Sequence, residues 1–419
     1  MSPSVRVRLS LTEVCGYSQR PASRGTLRPT RSGRWQVGKA SQVSSRARYS
    51  LALAAGLMLA SASANLSAST QTSCVEILDP AQLAFGIAKA GNLPVASLGN
   101  LAVIDFGGDY ARGLSAPRQQ VAESYFREYR DVDFLIVFSS FEFVTGDSRA
   151  FYNAIKNDVT GIGQSTFNHA QAFGSPNLQG YVDMAATSRW ELNPRLPAFD
   201  TTLDTLAHEL MHRYGVNLRW RDAAQTLRSD LLGRDAAHWS YFVDSDASVM
   251  YGSDWRALPG GEFESIDIFH RFSDLDRYAA GWITASEVRP TVLITAAAGD
   301  PTALPTRGVR VQGLGIPIAI EQIVAAEGAR LPAADAAQRS YRAGWVLLRR
   351  PGEALAPDLV AQLEQARRAF ELRFAAMSAG RAQIVIGNDA IPQQLAGRPT
   401  LRIGSGPATA TASLERATA

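Results

Sequence analysis

The stretch HELMHRYGVN, residues 208–217, sets two histidines four apart with a glutamate directly after the first. On a helix, side chains four apart leave the same face one turn apart. The rings of His208 and His212 can therefore reach one cation. Glu209 is too close in sequence to join them as a ligand and instead points toward a water that the cation would hold. Zinc suits such an imidazole pair and lowers the pKa of a bound water to about 7. A carboxylate beside that water can take its proton and later hand it to a leaving amine. The chain has five histidines in 419 residues, so this spacing is informative.

A catalytic zinc usually has three protein ligands and one open position, and this stretch supplies two. The remaining histidines are His169, His238 and His270. His238 is favoured as the third ligand: it opens HWSYFVDSDASVMYG (238–252), after a connection long enough for the chain to turn back under an ion. Acidic alternatives stay open: Asp244 or Asp246, or Glu262 or Glu264. His270 reads as a satisfied helix residue and His169 as a loop residue. Tyr241 and Tyr251 flank the expected third ligand and are candidate donors to a developing oxyanion. Asp244, Asp246 and Asp254 form an acidic run without the spacing of a calcium-binding EF-hand loop.

The motif and the residues C-terminal to it resemble the zincin class of metallopeptidases. Ser248-Val249-Met250-Tyr251 is similar to the Met-turn of metzincins, in which a methionine lies beneath the imidazoles. HWS…SVMYG followed by FSDLDRYAAGW (272–282) is similar to uncharacterised secreted bacterial proteins, over about residues 161–380. The resemblance implies a zinc-dependent peptide hydrolase with a zincin-like catalytic unit. It implies His208, His212 and His238 as ligands, Glu209 as base and Met250 as the turn methionine. The chain departs from the metzincin pattern at Leu218, where a third histidine would stand three residues after Gly215, and in the long gap before His238.

These residues need elements to hold them. LAVIDFGGDYA (101–111) reads as a strand running into a Gly-Gly turn, residues 116–131 as a helix, and DFLIVFSSFEF (133–143) as a buried strand. Strand, helix, strand points to a parallel crossover. Residues 157–180 read as loop and YVDMAA (181–186) as a strand. A helix comes next, N-capped by Asp200 or Thr201 and closed by a left-handed Gly215. Its apolar stripe is Leu203, Leu206, Ala207, Leu210 and Tyr214. Residues 273–281 make another capped helix. Short strands and helices fill 291–390, either packed on the catalytic unit or enlarging it. Zincins hold substrate as an added strand, and the backbone of 178–186 is the expected partner.

The fold class expected is α/β (α+β), with a twisted mixed sheet and an active-site helix. The boundaries are leader and signal peptide 1–64, lead-in 65–98, catalytic unit 99–290, C-terminal α/β segment 291–390, and a disordered tail 391–419 rich in Thr, Ala, Gly and Ser. YSLALAAGLMLASASAN (49–65) is a short apolar run, and Ala62-Ser63-Ala64 matches a signal-peptidase site. That predicts a secreted or periplasmic protein cleaved near Ala64. Ten of the 42 basic residues but only one of the 39 acidic ones precede residue 65. The processed chain then carries 32 basic and 38 acidic residues, net −6, which argues against nucleic acid. There is no apolar run long enough for a transmembrane segment. Cys15 and Cys74 are the only cysteines, and Cys74 reads as a near-terminal thiol. The expected partner is a peptide or protein substrate and the expected cofactor is Zn2+. A non-catalytic binding protein on the same scaffold, with a structural metal, is the alternative.

Overall fold

The computed structural model describes residues 75–77, 93–146 and 148–389. The leader, the signal peptide, most of the lead-in and the tail lie outside the described residues. In chain order the strands are β1 (Val75–Ile77), β2 (Val95–Leu98), β3 (Leu101–Asp105), β4 (Phe134–Ser139), β5 (Phe151–Ala154) and β6 (Gly180–Ala186). They continue as β7 (Val243–Asp244), β8 (Ser253–Ala257), β9 (Glu262–Ile268), β10 (Thr291–Thr295), β11 (Arg310–Gln312) and β12 (Leu314–Ile318). The last two are β13 (Ser340–Arg349) and β14 (Gln383–Ile386). The helices are α1 (Ser115–Glu128), α2 (Ala198–Met211), α3 (Asp274–Ala280), α4 (Ile320–Glu327) and α5 (Pro357–Met377). Two further antiparallel ladders have two residues per strand, Lys156–Asn157 with Phe167–Asn168 and Trp220–Arg221 with Leu227–Arg228.

The main sheet runs β1-β5-β6-β4-β13-β3-β2, with β14 also paired to β13. β4 and β6 are buried along their whole length, which a strand covered on both faces requires. Alternate residues divide between two apolar layers. Phe134, Ile136, Phe138, Val182, Met184, Trp345 and Leu347 face a core shared with α2, α3 and α5. Leu135, Val137, Tyr181, Val346 and Leu348 face a second core shared with α1. The architecture is thus helix, mixed sheet, helix. A second sheet, β11-β9-β8-β7-β10-β12, joins the larger core through Val243, Leu293 and Ile318.

The crossover from β3 to β4 is parallel as expected, but β13 lies between them and pairs with both in parallel. Residues 291–390 therefore belong to the same two sheets as residues 99–290. They place β13 in the middle of the main sheet and β10 to β12 in the second one. Over residues 180–183 strand β6 is not free to accept a substrate strand, which corrects the expectation for that part of 178–186. It is hydrogen-bonded to β4 on one side and to β5 on the other. β5 runs antiparallel to β6, and its outer side carries β1 in parallel register, Val75 opposite Tyr152.

Helix α2 starts at Ala198, earlier than Asp200 or Thr201 would imply, with Pro197 at the N-cap and no side-chain cap. Asp200 falls in the first turn instead, where a negative charge opposes the helix dipole. The stripe Leu203, Leu206, Ala207 and Leu210 is buried against the sheet as its spacing requires. Gly215 is not among the residues with positive φ. The helix ends at Met211, and the His212 backbone N–H still donates to the His208 carbonyl at 3.2 Å. That bond keeps the two rings one turn apart. Arg213, 2 % exposed, then anchors the helix end to the sheet-side loops. Its guanidinium donates to Gln179 Oε1 (2.9 Å), Asn157 Oδ1 (2.7 Å) and Asp158 Oδ1 (2.8 Å). No helix among the described residues is long and apolar enough to cross a membrane.

Candidate metal centre

His208, His212 and His238 come together although 25 residues lie between the second and the third. After α2 the chain loops away and returns through a short helical turn at Arg234–Ala236. The Gly233 N–H donates to the His238 carbonyl at 2.8 Å, and the Trp239 N–H donates to the Met250 carbonyl at 3.0 Å. These bonds fasten the third histidine to the turn at 248–251.

Each ring presents the same nitrogen to the centre. His208 Nδ1–H donates to the Val249 carbonyl, His212 Nδ1–H to the Gly215 carbonyl at 3.3 Å, and His238 Nδ1–H to the Arg234 carbonyl at 2.9 Å. A carbonyl oxygen only accepts, so each Nδ1 must carry the proton of its neutral ring. That leaves a lone pair on every Nε2. His208 Nε2 lies 3.1 Å from His212 Nε2 and 3.3 Å from His238 Nε2. With no proton between them these are not hydrogen bonds but lone pairs brought face to face. Tetrahedral imidazole ligands at 2.0–2.1 Å from a zinc ion stand about 3.3 Å apart. The donor set and its spacing fit such an ion.

Burial keeps the rings neutral. His208 and His238 are fully buried and His212 almost so. Desolvation pushes the His208 pKa down to about 4. Burial, and then the neighbouring rings, push His212 and His238 well below the usual imidazole range. Neutral imidazole is the form that ligates a metal. Glu209, also fully buried, sits next to His208 on α2.

Tyr251 joins the group. Its ring stacks on His238 (centroids 4.4 Å, interplanar angle 16°) and lies 4.8 Å from His208. Its φ of 59° marks a tight turn that turns the ring toward the histidines. Tyr241 is not brought there: its ring packs on Phe242 and Trp255 in a separate apolar cluster. Met250 is fully buried in the main core beside Val249. Phe269, which carries no motif signal of its own, lies 5.7 Å from His208 and 5.6 Å from Tyr251.

The competing ligands go elsewhere. His270 Nδ1–H donates to the Ile268 carbonyl, with Asp267 3.2 Å from its other nitrogen. His169 stacks on Phe167. Glu264 pairs with Arg256 and Arg310, and Glu262 stands at the start of β9. Asp244, Asp246 and Asp254 form a group of their own. Burial raises Asp244 to about 6, with Asp254 and Asp246 adding to the shift. Arg289 pairs with Asp246. The three backbone carbonyls that orient the histidines carry no sequence signal, because any residue type supplies one. Comparison of the chain with protein-family models, curated proteins and solved structures gave no match.

Proposed function

We propose that this chain is a secreted zinc-dependent metallopeptidase. The observation that carries the reading is the convergence of three Nε2 lone pairs within 3.1 and 3.3 Å, each ring held by a bond from Nδ1 to a backbone carbonyl. His208, His212 and His238 would hold the ion. Three protein ligands would leave a position open for water and substrate. Bound there, zinc supplies the charge that acidifies a water and polarises a peptide carbonyl. Glu209 would take the proton of the attacking water and return it to the departing amine. Tyr251, stacked on His238, is the side chain we assign to the oxyanion. An extended peptide added to the main sheet would use the outer side of β1 or of β2, because β5 and β6 are both internal.

The Glu209→Gln variant tests the assignment. It is expected to bind zinc as the wild type does and to lose chelator-sensitive cleavage of a peptide library, with kcat reduced by at least about 10²-fold. A wild type that holds zinc yet cleaves no peptide would favour the binding protein with a structural metal.

A further inference from the structure

Two contacts of one buried carboxylate, neither of them with a ligand itself, join the parts that hold the histidines. Asp276 is 2 % exposed and lies in the first turn of α3. Its Oδ2 accepts from the Ser248 hydroxyl at 2.6 Å and from the Ser273 N–H at 2.8 Å. Its Oδ1 accepts from the Trp239 indole N–H at 3.0 Å. Trp239 is the residue after His238 in the chain. Ser248 precedes Val249, whose carbonyl orients His208.

The two arms are also tied to each other. Met250 N–H donates to Ser248 Oγ at 3.0 Å, and Trp239 N–H donates to the Met250 carbonyl at 3.0 Å. Carboxylate, serine, turn, tryptophan and carboxylate again make a closed ring of bonds. Opening it at Asp276 would leave the buried Trp239 N–H and Ser248 O–H without an acceptor. The His238 segment could then move relative to the carbonyl that fixes the His208 tautomer. An asparagine cannot replace the carboxylate here. Whichever oxygen its amide nitrogen replaces, that nitrogen faces the Trp239 indole N–H or the Ser273 backbone N–H, and both can only donate.

We propose that Asp276 is a positioning residue of the metal centre, setting the spacing between His238 and His208 by clamping Trp239 to Ser248. The inference rests on the metal reading above and extends it to a residue that touches neither ion nor substrate. Loss of a partner bonded directly to a ligand typically weakens a metal site by roughly 10–100-fold, and Asp276, acting one bond further out, is expected at the lower end of that range.

The test measures Zn2+ dissociation constants by competition with a chromophoric chelator for wild type, Asp276→Asn, Ser248→Ala and Trp239→Phe. Visible spectra of the Co2+-loaded proteins and melting of the metal-free proteins accompany them. Asp276→Asn is expected to weaken Zn2+ binding by about 10-fold or more and to alter the Co2+ bands. Ser248→Ala and Trp239→Phe each give part of that loss. Adding Ser248→Ala to Asp276→Asn is expected to cost little more, because both open the same ring. If Asp276→Asn does not fold, the two single-arm variants carry the test. A lowered melting temperature with wild-type Zn2+ affinity and Co2+ spectrum in the folded variants would make Asp276 a fold residue only and overturn the proposal. A wild type that binds neither ion would overturn the metal reading as well.

Discussion

At the scale of single residues, the candidate metal centre rests on which ring nitrogen keeps its proton. Backbone carbonyls of Val249, Gly215 and Arg234 hold the three Nδ1 protons, and burial prevents a second proton from relieving the crowded lone pairs. The motif at 208–212 is legible because helical spacing alone places the two rings together. His238 is legible from the small number of histidines and from the turn after it. Tyr241 is not separable from Tyr251 by sequence, since both flank the same segment; the fold sends one into the Trp255 cluster and the other onto His238. Tyr251→Phe is expected to keep the ring stack and the metal affinity while lowering kcat for peptide cleavage about 10²-fold. A kcat equal to the wild type's would assign Tyr251 to packing alone.

At the scale of elements, periodic burial is readable and chain ends are not. The stripe of α2 and the continuous apolar run of β4 reveal their type because each is set by the faces it buries. The start of α2 precedes the expected caps because Pro197, with φ of −58°, fits the helix entry with no side-chain cap. The role of 178–186 as a substrate edge fails for a different reason. Whether a strand has a free side depends on β5, which pairs from outside its local sequence. Helix α5 supplies the test at this scale. Arg367, and then Arg368, hold the Glu364 carboxyl down to about 2, and Arg367 also donates to the Ile386 carbonyl at 2.7 Å. The folded chain therefore releases this proton more readily than the unfolded one. The stability it contributes is complete above the unfolded carboxyl pKa of about 4.3 and is lost as pH falls toward about 2. Glu364→Gln is expected to melt lower than wild type at pH 7, with the difference closing toward pH 2 in a melting series. A difference independent of pH would contradict it.

At the scale of the whole molecule, the fold closes through its distant C-terminal part. β13 stands between β3 and β4, more than 200 residues after either, and packs Ala343, Trp345 and Leu347 against the face that holds α2. Sequence order carries no direct sign of such an insertion, so the strand–helix–strand unit is readable in direction but not in its neighbours. α5 covers the same face through Leu363, Phe370 and Phe374. A chain ending at residue 290 would expose the inner edges of β3 and β4 and lose this cover. It is expected to show neither a cooperative melting transition nor dispersed amide resonances, and a stable folded fragment would refute this dependence on the C-terminal part.

The most direct measurement is zinc content per chain, by elemental analysis after dialysis, in the wild type and in His238→Ala. A three-histidine centre predicts about one zinc per wild-type chain and none retained by a His238→Ala protein that still melts cooperatively. A folded wild type that takes up no zinc, or a variant that keeps all of it, would contradict that centre.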